Sequence, residues 1–149
     1  MSAGAILRDT KSVSSRSSVQ LEVLDWGGTG QTLILLTGIG DNAHVFDEFA
    51  YQFNDRFHVI GITRRGFGHS SQPVHGYDLD TRARDDITVL DKLNIREAVF
   101  IGHSVAGTEL NKLGAVYPDL TETDIQACIA YGAEMARERF VEVPLEPAV

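Results

Sequence analysis

The chain has 149 residues, 43% of them hydrophobic, enough for one domain with a real core, and its aromatic and charged fractions are ordinary for a globular protein. Thirteen basic residues scattered against twenty-one acidic ones give a formal net charge of -8, which argues against a phosphate-backbone partner and so against nucleic acid. No apolar run approaches the roughly 20 residues needed to cross a bilayer, so a soluble chain with no membrane contact is expected, either cytoplasmic or secreted with its signal already removed.

Residues 1–18 are rich in Ser with no period and read as a flexible leader, leaving 19–149 as a single domain. "VQLEVLDW" (Val19 to Trp26) alternates apolar and polar residues like a half-buried strand. "GGTG" (Gly27 to Gly30) then reads as a hairpin turn. Followed by Gln31-Thr32, it resembles a phosphate loop only superficially: no Lys precedes the Thr, and a strand follows where a helix should open. "TLILLTGIG" (Thr32 to Gly40) is a continuous apolar run ending in glycines, the pattern of a strand buried on both faces of a parallel sheet.

Helical patterns cover about Ala43 to Phe53, with Asp41 or Asn42 as cap, and Asp80 to Leu93, with Ile87, Leu90 and Leu93 on one face. The apolar strands in "FHVIGITRRGFGHSS" and "AVFIGHS" repeat the Gly-rich exit. Alternating strands and helices imply an α/β fold, a mostly parallel sheet with helices on both faces. Ligands of such sheets bind beyond the carboxyl ends of the strands, where all three Gly-rich exits fall.

The chemistry concentrates at Gly102-His103-Ser104-Val105-Ala106-Gly107. Small residues two before and two after Ser104 suit a nucleophile elbow, a strained strand-to-helix turn that lifts a serine hydroxyl above the sheet at a helix N-terminus. The loop in "LLTGIGDNAHVF" would set the Ile39 N–H opposite that of Val105, two donors aimed at one oxyanion and worth about 3 kcal/mol each in acyl transfer. Gly38, Gly40 and His44 would line the adjoining pocket. Gly38-x-Gly40 lacks the third glycine of a dinucleotide loop, so no nucleotide cofactor is implied. The single Cys128 excludes an internal disulfide, and the five histidines show no zinc-like spacing, so no metal is expected.

With these parts in order, the stretch from Val19 to Asp119 resembles the α/β-hydrolase family. "LEVLDWGGTGQTLILLTGIGDNAHVFDEFA", "HVIGITRRGFGHSSQP", "GYDLDTRARDDITVLDKLNI" and "VFIGHSVAG" leading to "YP" carry the resemblance. It implies that "RRGFGHS" forms the turn after the fourth strand and that the helix from Asp80 precedes the nucleophile strand. Thr37 stands where many members have His. A serine at position 104 points to esterase-like chemistry on a small-molecule ester, through an acyl-enzyme.

The family's triad runs Ser, then acid, then His, yet no histidine follows His103 here. Against the family pattern the chain reads as internally deleted and C-terminally shortened, with 19–119 as core and 120–149 as a remnant of the cap and C-terminal region. Thr121 to Arg139 reads as one helix, and "RFVEV" (Arg139 to Val143) as a strand that pairs with the open edge at Ala98 to Ile101, within the chain or as a swapped homodimer. His103 is locked in the elbow, whereas His44, His69 and His75 read as solvated loop side chains that reach Ser104 only by rearrangement. Two functions remain open: a serine esterase weakened by its missing base, or a non-catalytic binding module.

Overall fold

The computed structural model describes residues 8–15 and 18–116. The helix expected over 121–139 and the strand pairing expected of 139–143 lie outside the described residues.

The apolar run after Gln31 becomes β3 (Gln31–Leu36), paired along both edges, and its alternation decides the two cores. Leu33 and Leu35 point to one face with Leu24, Trp26, Ala43, Ala50 and Val59. Ile34 and Leu36 point to the other, where Val89 and Leu90 meet Phe100, Leu110 and Leu113. β4 (Phe57–Thr63) and β5 (Ala98–Gly102) flank β3 in parallel, Ile34 standing opposite both Ile60 and Phe100. A 3-10 turn at Ala43–Phe46 and the short α1 (Asp47–Ala50) cover the first face; α2 (Leu79–Lys92) and α3 (Ala106–Val116) cover the second.

The remaining strands, β1 (Asp9–Ser14) and β2 (Gln20–Gly27), complete a five-stranded sheet in the order β1-β2-β4-β3-β5. Because β2 runs antiparallel to both neighbours, the sheet is mixed, with parallel pairing confined to β3, β4 and β5. β4 lies between β2 and β3, so Gly27 to Gly30 connects strands that never touch and is no hairpin. Nor is β2 half-buried. Leu21 and Val23 enter one core, Leu24 and Trp26 the other, and even Glu22 is only 3% exposed.

The flexible-leader reading fails over Asp9–Ser14, which pair with β2 from Asp25 to Gln20. Only Val13 of that strand is buried. An edge strand gains its stability from the backbone ladder, and its Ser and Lys side chains discourage further strand addition, so apolar alternation is too sparse to announce it.

Local signals set the helix ends. Asn42 caps the 3-10 turn by accepting from the His44 N–H at 3.0 Å, and Asp78 caps α2 by accepting from the Thr81 N–H at 2.9 Å. Within α2 the buried stripe is Ala83, Val89 and Leu90, while the expected Ile87 and Leu93 are only partly buried beside it. The loops after β3 and β5 lead to helices on opposite faces, and the crevice where such loops diverge is where open α/β sheets hold ligands.

Candidate active site

Strand β5 extends its pairing one residue past its end, through the His103 N–H to the Leu36 carbonyl at 3.0 Å. The backbone then turns abruptly. Ser104 has φ +57°, and α3 begins two residues later. A left-handed serine costs about 1–3 kcal/mol and persists only where its surroundings over-determine it. Here they do. A Cβ on Gly102 would lie 2.9 Å from Leu110 Cδ1 and 3.0 Å from Ala106 Cβ, so α3 crosses β5 closely enough to demand small residues at both 102 and 106. Ala106 and Gly107 are buried, Val105 and His103 half-buried, and Ser104 exposed.

The loop after β3 packs directly on this turn: a Cβ on Gly38 would lie 3.0 Å from His103 Nδ1 and 3.4 Å from Ser104 Cβ. Ile39 follows with 65% of its surface exposed, then Gly40 at φ +94°. Among the described residues, neither the Ile39 nor the Val105 N–H donates to a backbone carbonyl.

What holds the two turns together is a buried cation that sequence reading passed over. The Arg64 side chain, 3% exposed, donates through Nη1 to the Thr37 carbonyl, to Thr37 Oγ1 at 3.1 Å and to the Gly38 carbonyl at 3.3 Å. Its Nε donates to both oxygens of Glu109, at 2.7 and 3.0 Å, and Glu109 is a fully buried residue of α3. Arg82 Nε lies 3.2 Å from the same carboxylate. Arg64 therefore ties the Gly38 loop to the helix that follows Ser104. Thr37, at the position where many members of the family have His, supplies two acceptors to this clamp. Next to it, burial and then the Glu109 charge push the Asp86 carboxyl well above its usual range. Arg65 reaches Asp85 through two bonds of 2.6 and 2.7 Å and anchors the chain after β4 to α2.

The histidines do not converge on Ser104. Among the described residues none hydrogen-bonds its hydroxyl. His75 is exposed in the loop before α2, and His103 rests against Gly38. The solvated-loop reading fails for His44, which is half-buried with its Nε2 3.0 Å from Glu22 Oε1. His69 keeps an exposed outer face but sets Nδ1 2.8 Å from the same oxygen. Burial favours the neutral Glu22 carboxyl, yet the hydrogen bonds from His44, Thr63 and His69 together hold it below the usual range. Glu22 falls on a polar position of the alternating stretch from Val19 to Trp26, so nothing in that pattern marked it as buried.

A family model described as the alpha/beta hydrolase fold matches residues 31–142. The chain belongs to the α/β-hydrolase family. Among similar α/β-hydrolases, a 2-(acetamidomethylene)succinate hydrolase of Mesorhizobium japonicum is 31% identical over 96 residues, 64% of this chain and 34% of that protein. A non-heme chloroperoxidase of Burkholderia pyrrocinia is 32% identical over 100 residues, 66% of this chain and 36% of the relative. The crystal structure of an E-2-(acetamidomethylene)succinate hydrolase superposes with a TM-score of 0.70 at 29% identity, covering 77% of this chain and 42% of that one. The chain thus spans little more than a third of the length of these curated relatives. No helix among the described residues is long and apolar enough to cross a membrane.

Proposed function

We propose that this α/β-hydrolase chain carries the nucleophile side of a serine hydrolase acting on small carboxylic esters. The observation that carries the reading is the left-handed Ser104, exposed at the β5–α3 turn and packed against the Gly38 loop. In this reading Ser104 Oγ attacks the ester carbonyl and its proton passes to a base. The Ile39 and Val105 amides stabilise the tetrahedral oxyanion, and the alcohol departs as the carbonyl reforms in an acyl-enzyme that water then hydrolyses. Relatives named as a hydrolase, a 3-oxoadipate enol-lactonase and an esterase are consistent with acyl transfer.

The base is the weak point. No histidine follows His103 in these 149 residues, and none bonds Ser104 among the described ones. Oxyanion stabilisation and binding alone leave about 10³-fold acceleration over water. That none of the described histidines bonds Ser104 supports a second reading, a binding module that keeps the turn as architecture.

Reaction with a fluorophosphonate probe between about pH 6 and 9 separates the two. The esterase reading expects covalent labelling of the wild type, absent in Ser104→Ala, and rising with the titration of a histidine. Equal labelling of the two proteins, or none in either, overturns it in favour of the binding module.

A further inference from the structure

Three residues that the proposed acyl transfer does not use meet at the rim of the sheet. Glu22 comes from β2, His44 from the 3-10 turn and His69 from the turn after β4, and one ligand atom from each lies within 4.8 Å of the other two. We propose that they form a binding site for a divalent transition cation of the zinc class, with its remaining coordination positions open to water.

The donor set is the first argument. Two imidazole nitrogens and one carboxylate oxygen are ligands that zinc and its first-row neighbours accept, and three protein ligands leave room for water. Metal–ligand bonds of about 2.0–2.2 Å set tetrahedral donors roughly 3.3 Å apart. The present separations from Glu22 Oε1, 3.0 Å to His44 Nε2 and 2.8 Å to His69 Nδ1, need to open by only a few tenths of an ångström. The His69 side chain, 83% exposed, has the freedom to supply that movement. The two rings meet edge to face with their centroids 6.0 Å apart.

Charge points the same way. Glu22 is 3% exposed, and among the described residues no Lys or Arg pairs with it; its partners are the two imidazoles and the Thr63 hydroxyl, which donates to Oε2 at 2.7 Å. Buried carboxylates are paired with cations or coordinate metals. The comparable cluster at Asp25 already has its cation: Lys11 Nζ at 2.7 Å shares that carboxylate with His58. Glu22 has no such resident.

The surroundings orient the donors as metal sites require. Thr63 occupies Oε2 and leaves Oε1 facing the histidines. Behind His44, Asp47 Oδ2 stands 3.8 Å from Nδ1, beyond hydrogen-bond distance, and Asp47 is itself held by Trp26 Nε1 at 3.0 Å and by Arg8. Gly68 has φ +50°, and a Cβ there would lie 2.9 Å from Glu22 Oε2, so the absence of a side chain is what lets the turn deliver His69 to Glu22.

Titration of the chelator-treated full chain with Zn²⁺, followed by calorimetry and by thermal melting, tests the site. The expected result is one ion per chain, a higher Tm with zinc, and affinity at least about tenfold weaker in His69→Ala, whose melt with zinc is compared with its own melt without it. His44→Gln reads the same ligand set from a second element, so a folding defect in one variant does not decide the matter. Ser104→Ala should bind zinc as the wild type does, which keeps this outcome separate from the fate of the nucleophile. No binding at about 100 μM Zn²⁺, or binding as tight as that of the wild type in both histidine variants, overturns the proposal.

Discussion

Two clusters at the carboxyl end of the sheet are built on opposite principles. The Ser104 turn is strained but locked: small residues at 102 and 106 admit α3, and the buried Arg64–Glu109 pair ties that helix to the Gly38 loop. The Glu22 cluster is unstrained and open, one buried carboxylate shared by a half-buried and an exposed histidine. The proposed acyl transfer needs groups at the Ser104 turn that do not move during reaction, whereas the proposed ion site needs donors that can adjust by tenths of an ångström. The comparison teaches that depth of burial, more than the identity of the charged groups, separates a framework from a receptor.

The comparison breaks most visibly at Arg64. Replacing it with Leu leaves the buried Glu109 with Arg82 as its one remaining cation among the described residues, and urea unfolding should show a loss of about 3–5 kcal/mol. A loss below about 1 kcal/mol, the worth of a surface pair, would show that the clamp is not a framework.

Gly68→Ala probes the open cluster. Its Cβ would press on Glu22, Asn42 and Thr63, each at 2.9 Å, and the expected cost is about 1–3 kcal/mol by the same measurement, with His69 displaced from Glu22 in its ring NMR signals. A cost matching that of Arg64→Leu would erase the distinction between the two regions.

Ser104→Gly should be more stable than Ser104→Ala by about 1 kcal/mol, because glycine adopts the left-handed conformation without strain and alanine does not. Equal stability of the two variants would mean that the turn stores no strain, and would remove the main support for the nucleophile reading.

The smallest effect is expected from Asp86→Asn. The folded-state carboxyl is raised above its unfolded value, so its contribution is fully present below the unfolded pKa and is lost as pH rises toward the folded one. Wild type and variant should melt alike in acid, with the variant gaining relative stability toward neutral pH. A gap that stays constant with pH would contradict this reading of the charged layer beneath Ser104.

Much of the framework was legible in the residues. The apolar run of β3, the caps Asn42 and Asp78, and the small residues around Ser104 are local signals, decided by neighbours within a few positions. β1 escaped because an edge strand can form with a single buried side chain, and the hairpin reading of Gly27 to Gly30 failed because turn composition does not say which strand will lie alongside.

By itself, then, the sequence determined the alternation of strands and helices, the Gly-rich exits and the backbone chemistry of the Ser104 turn, since hydrophobic period and steric size act over short separations. Only the tertiary structure decided that β4 enters between β2 and β3, that Arg64 meets Glu109 across 45 positions, and that His44 and His69 reach Glu22 across 22 and 47. The reason is physical: such pairings depend on which elements pack together, and burying Glu22 and Glu109 is tolerable only once that packing has brought their partners within hydrogen-bond distance.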